Sequence, residues 1–186
     1  FVRMRNMVDP SFINQMERKS FSKTIALLNT YKNTSIKVQI IFNKKCILVN
    51  GIEIKLPPKE LAFYLWLSQQ PERRININRQ FCADTKYSAS YLKTYSMVSS
   101  DSRVFTSFNV DREMVEQCSA ETLSKLTDIR PFEKDWLQQI RSKINGQFKK
   151  WLEAIVVEAI EIGSNEYNTQ QHEVFYFMSE TVIIEC

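Results

Sequence analysis

The sequence predicts an α+β fold, mainly helical, with a small N-terminal antiparallel sheet and a C-terminal β-hairpin. Three observations carry this reading. Apolar residues alternate around Asn50-Gly51, with Ile47 and Val49 before it and Ile52 and Ile54 after it. Alternation makes half-buried strands, and Asn-Gly supplies the two positive φ angles of a type I′ hairpin turn. The stretch EKDWLQQIRSKINGQFKKWLEAIV (133–156) has the helical period, placing Trp136, Leu137, Ile140, Ile144, Phe148, Trp151, Leu152 and Ile155 along one side. Beyond it, VVEAIEI (156–162) and EVFYFMSETVIIEC (173–186) have strand composition and flank the polar loop GSNEYNTQQH.

The remaining elements follow in order. Asp9-Pro10 starts one short helix and Ser20 caps another, whose buried face is Phe21, Ile25 and Leu28. These make residues 1–34 linker helices ahead of a domain over 35–186. SIKVQIIFN (35–43) alternates as a third strand. Pro57 or Pro58 opens a helix over 58–70, where a missing donor costs nothing and Glu60 faces the positive dipole end. Its apolar stripe is Leu61, Tyr64, Leu65 and Leu67. Pro71 ends it. Residues 71–110 are polar and serine-rich, and they read as an irregular insertion with one helix around Tyr91 to Met97. Helical spacing resumes at Met114, Val115 and Cys118 and continues through Leu123, Leu126 and Ile129 until Pro131. Gly146 marks a bend in the long helix or a junction between two.

Length and composition bound the function. A chain of 186 residues, 44% apolar and 25% charged, buries a real core. No apolar run approaches the roughly 20 residues that span a bilayer, so no membrane is expected. The opening FVRMRNM has no secretory pattern, and a first residue of Phe reads as a trimmed or processed start. Cys46, Cys82, Cys118 and Cys186 are scattered, which predicts reduced thiols, a cytoplasmic setting and no metal site. Charge is divided. Residues 1–152 hold all 25 Lys and Arg against 14 acids, a balance of +11, while 153–186 hold seven Glu and no Lys or Arg, a balance of −7. A polyanion meets the first part and avoids the last.

Three motifs bear on chemistry. Arg141, Lys143, Lys149 and Lys150 lie on the long helix with no acid between Trp136 and Leu152, so they are the candidate nucleic-acid contacts. A solvated face opposite the apolar stripe accounts for them equally simply, and the acidic hairpin and tail favour that account. In KYSASYLKTYSMVSSDSR (86–103), tyrosines interleave with Lys86, Lys93 and Arg103, a pattern that stacks on single-stranded bases or packs one helix side. His172, the sole imidazole, sits beside Glu173 with no nucleophile near it in sequence. No phosphate loop, nucleophile elbow or zinc-protease pattern occurs, and neither a catalytic residue nor a cofactor is expected.

The element order of small sheet, helices, long helix and hairpin resembles response-regulator winged-helix domains, in which the long helix holds the recognition position and the hairpin is the wing. A second resemblance is more particular. ILVNGIEIKLPPKELAFYLWLS is similar to a segment of CRISPR-associated, ring-nuclease-like proteins of type III systems. IRSKINGQFKKWLEAI resembles that family's late helix before its hairpin and final short strand, here TVIIEC. MERKSFSKTIALLN is similar to the helix leaving its CARF domain. The likeness covers most of residues 20–70 and 138–186.

This resemblance implies an N-terminal CARF domain, absent from this chain, that binds cyclic oligoadenylate, with the present residues as its winged-helix-like partner. Ring-nuclease catalysis then belongs to the full-length parent. The expected function is a non-catalytic accessory or dimerising domain in antiviral defence; a winged-helix DNA-binding transcriptional regulator is the alternative, and a nuclease with a dispersed site a distant third. For a homodimer, Trp136, Phe148 and Trp151 are the candidate interface anchors, since buried aromatics dominate interface energetics.

Overall fold

The computed structural model of the chain describes residues 36–41, 44–125, 128–166, 173–177 and 182–185. The helices expected over 9–32 and the loop carrying His172 lie outside them. Strands β1 (Ile36–Ile41), β2 (Cys46–Val49) and β3 (Ile52–Lys55) form the expected antiparallel meander. Asn50 and Gly51 take φ of 49° and 85°, the two positive angles that the hairpin turn requires. The Asn50 turn is also tied to β1: the Lys37 amide donates to Asn50 Oδ1 at 2.9 Å and the Asn50 amide donates to the Lys37 carbonyl at 3.0 Å. Val38, Ile40, Ile47, Val49 and Ile54 point into the core.

Helix α1 (Pro58–Ser68) begins at the second proline, with Pro57 at its N-cap. The predicted one-sided stripe is too narrow a description of it, because every residue from Glu60 to Leu67 is buried. An element apolar all round is a central one, and α1 packs against the helices over Thr85–Val98 and Lys134–Trp151 and the strand Arg74–Ile77.

The segment 71–110 is no irregular insertion. It contains β4 (Arg74–Ile77), α2 (Thr85–Val98) and α3 (Ser102–Ser107). Its serines disguise a core helix: Ser88, Ala89, Tyr91, Leu92 and Tyr95 of α2 are buried. Serine hydroxyls are satisfied locally, as Ser88 and Ser96 donate to the carbonyls of Thr85 and Lys93, which lets polar letters occupy a packed helix. Two short helices, α4 (Arg112–Gln117) and α5 (Ala120–Ser124), follow. Lys93 of α2 caps the first of them, its ammonium donating to the Val115, Glu116 and Cys118 carbonyls at 2.7, 3.3 and 2.8 Å.

Helix α6 (Lys134–Trp151) runs through Gly146 without interruption and breaks at Leu152. The stretch read as a strand at 156–162 is instead helix α7 (Ala154–Ile160) followed by the start of β5 (Ile162–Glu166). Its β-branched residues favour strand locally, but Val157 and Ile160, one helical turn apart, are buried, and that packing overrides propensity. β5 pairs antiparallel with β6 (Glu173–Phe177), the expected C-terminal hairpin, and β6 pairs with β4 on its other side. Finally β7 (Val182–Glu185) crosses to the first sheet and lies parallel to β1. The first sheet is therefore antiparallel over β3-β2-β1 and closed by one parallel strand, order β3-β2-β1-β7, and the second has order β4-β6-β5.

Candidate functional site

Helix α6 is the element to which the sequence assigns contact with a partner. Leu137, Ile140, Ile144 and Phe148 form its buried side. Its outward crest is Asp135, Gln139, Ser142 and Gly146, all exposed. The four candidate cations do not share that crest. Successive residues turn about 100°, so Arg141 and Lys143 stand about 160° apart around the axis. Arg141 is half-buried, whereas Lys143, Lys149 and Lys150 are exposed.

Each exposed lysine has a neighbour within the chain. Lys143 Nζ lies 4.0 Å from the carboxylate of Glu60, a buried residue of the first turn of α1. Lys149 Nζ lies 3.2 Å from the carboxylate of Glu161, which follows α7. Lys150 Nζ stands over the Trp151 ring, 5.2 Å from its centroid. A contiguous positive face of four free cations is therefore absent.

The three aromatic anchors also separate. Phe148 is fully buried and meets Tyr64 of α1 edge-on at 5.3 Å, so it is a core residue of this chain and is unavailable to a second copy. Trp136 is half-buried, with the rings of Phe132, Tyr91, Phe108 and Phe63 at 5.1, 5.4, 5.6 and 5.7 Å. Lys59 covers its remaining face at 4.7 Å. Burial beside that ring lowers the Lys59 ammonium below the ordinary lysine range, with Glu60 opposing the shift. Trp151 alone is open, at 55% exposure.

Periodicity could not reveal how the hairpin is anchored to this helix. Asn145 Nδ2 donates to the Ile162 carbonyl at 3.0 Å, and the Ile162 amide donates to Asn145 Oδ1 at 2.9 Å. The Tyr64 hydroxyl donates to the Ile160 carbonyl at 3.0 Å, and its burial drives the phenol far above its usual range. These bonds hold both residues flanking Glu161. An Asn within a helix and a Tyr in an apolar run were the available signals, but neither names its partner.

The stretch 86–103 offers no stacking platform. Tyr91 and Tyr95 are buried, Tyr87 lies against Phe81 at 4.3 Å, and Lys93 is consumed by the three carbonyls it caps. Arg103 is held by Asp101, which also caps α3. Grooves open on the surface among the described residues. One of about 350 Å³ is lined by Asn109, Asp111, Met114 and Asp128, and one of about 490 Å³ runs beside β4, from Arg74 to Lys86. Among the described residues no group of three or more His, Cys, Asp or Glu is placed to hold a metal ion, and no helix is long and apolar enough to cross a membrane.

The strand between α1 and α2 pairs with the outgoing strand of a hairpin that follows the long helix, which makes this a winged-helix-like α+β protein. No family model, curated protein or solved structure matches the chain.

Proposed function

We propose that this chain is a non-catalytic accessory or dimerising module of a CRISPR-associated protein that senses or degrades cyclic oligoadenylate through a CARF domain elsewhere in its parent. The observation that carries the accessory reading is the internal engagement of the long helix. Lys143 and Lys149 each stand within ion-pair reach of a carboxylate, Glu60 and Glu161, so the helix presents little unpaired charge to phosphates. The two stretches that carry the family resemblance, 20–70 and 138–186, also meet in space, joined by the hydrogen bond from the Tyr64 hydroxyl to the Ile160 carbonyl. Trp151 is the anchor left for self-association.

The discriminating experiment combines sedimentation over a concentration series with a duplex-DNA titration at two salt concentrations. An accessory dimer shows concentration-dependent association that Trp151→Ala weakens, and weak DNA binding with a shallow salt slope. On this reading the 186-residue chain is expected neither to bind nor to cleave cyclic oligoadenylates. A monomer at every concentration rejects the dimerising role, and cleavage by this chain rejects the non-catalytic one. The second reading, a winged-helix DNA-binding regulator, draws on the exposed crest of α6, where Ser142 and Gly146 leave room for close approach. A steep salt slope in the same titration favours it.

A further inference from the structure

We infer that the long helix is a masked face for duplex nucleic acid, and that Glu161 is the mask. The face has the parts such a contact needs: an open crest at Gln139, Ser142 and Gly146, with Asp135 at its N-terminal end, Lys150 and the Glu60-paired Lys143 on one flank and Lys149 on the other. Lysines at both flanks of a crest suit the phosphates on the two sides of a groove.

The Lys149–Glu161 pair differs from an ordinary surface ion pair. In the pair between Lys125 and Glu121, both side chains are open, at 72% and 80% exposure. Glu161 is only 20% exposed, against 63% for Lys149. Its backbone is held on both sides: the Tyr64 hydroxyl binds the Ile160 carbonyl, and the Asn145 amide binds both backbone groups of Ile162. The Glu161 amide itself donates to the Val157 carbonyl at 2.7 Å. A carboxylate placed by three elements loses little entropy in meeting Lys149, so an incoming phosphate competes against a preorganised anion. Glu158, one turn earlier and half-buried, is close enough to Glu161 to feel its charge. This inference stands on the fold and the ion pairs, and it holds or fails whatever the parent protein is.

The test is a fluorescence titration of the intact chain against a mixed-sequence DNA duplex, from about 50 to about 200 mM salt. Freeing one lysine for one phosphate steepens the slope of log K on log salt by about one, which is about a threefold greater loss of affinity over that range. Glu161→Gln is expected to bind more tightly at low salt and to show this steeper slope, and adding Lys149→Gln abolishes both gains. Glu121→Gln, which frees a lysine on another helix, leaves binding unchanged. No gain in Glu161→Gln, a gain that survives Lys149→Gln, or an equal gain in Glu121→Gln each overturns the mask. Should Glu161→Gln fail to fold, Lys149→Met in the otherwise unaltered 186-residue chain decides: a masked lysine costs no binding when removed, and a loss equal to that of Lys150→Met overturns the inference.

Discussion

The side chain of Asn145 does for Ile162 what a neighbouring strand would do, accepting from its amide and donating to its carbonyl. Asn145→Ala strands both partly buried backbone groups, at a cost of about 1–3 kcal/mol. Urea unfolding is expected to show an earlier midpoint, and an unchanged midpoint would mean that water replaces the amide freely. Asp101 offers a second prediction at this scale. Its side chain is bonded by the Arg103 guanidinium first and by the Arg103 backbone amide next, which holds the carboxyl down at about 2. A depressed folded value means stability that is present above the ordinary carboxyl range and lost as pH falls towards about 2. Asp101→Asn removes that contribution, so wild type and variant should converge in stability across this acid window. A stability difference that stays constant with pH would show that the pair is irrelevant to folding.

At the scale of elements, α6 separates two aromatic residues that periodicity placed on one stripe. Phe148 lies under Tyr64 with no exposure, whereas Trp151, at the last turn, is more than half exposed. Phe148→Ala therefore opens a core cavity and costs about 3–5 kcal/mol at any protein concentration. Trp151→Ala changes monomer stability by about 0.5 kcal/mol or less, and its effect appears in association. Denaturant melts at two protein concentrations separate these outcomes. A concentration-dependent loss in Phe148→Ala, or a large concentration-independent loss in Trp151→Ala, would reverse the assignment of core and surface.

For the whole molecule, the charge division is the feature with the widest consequence. The basic and acidic parts of the chain meet where Lys149 reaches Glu161 across the α6–α7 junction. Acids crowd there: burial first, and the nearby Glu161 second, push the Glu158 carboxyl up from its usual range. A raised carboxyl in the folded state binds protons that the unfolded state has released, so stability falls as pH rises through that window. Glu158→Gln is expected to be more stable than wild type near neutral pH and to lose the advantage below the ordinary carboxyl range. Thermal melts across pH check this, and a variant less stable at neutral pH would show that the Glu158 charge is favourably paired.

The sequence alone determined the features that depend on a few adjacent residues. Asn50-Gly51 sets its own turn because the required φ angles are local, and Pro58 starts α1 because its missing donor is harmless there. The length and buried stripe of α6 were legible because eighteen helical residues average over many side chains. Only the tertiary structure decided the rest. Val156 and Val157 carry strand propensity worth a fraction of a kcal/mol, and the burial of Val157 and Ile160 outweighs it and makes α7 helical. The serines of α2 conceal a core helix because their hydroxyls bond to their own backbone. The fate of the α6 cations was invisible for a similar reason: Glu60 precedes Lys143 by most of the domain, and no periodicity connects a lysine to a carboxylate on another element. Pairing across the fold is a property of packing, and packing decides which charges remain free.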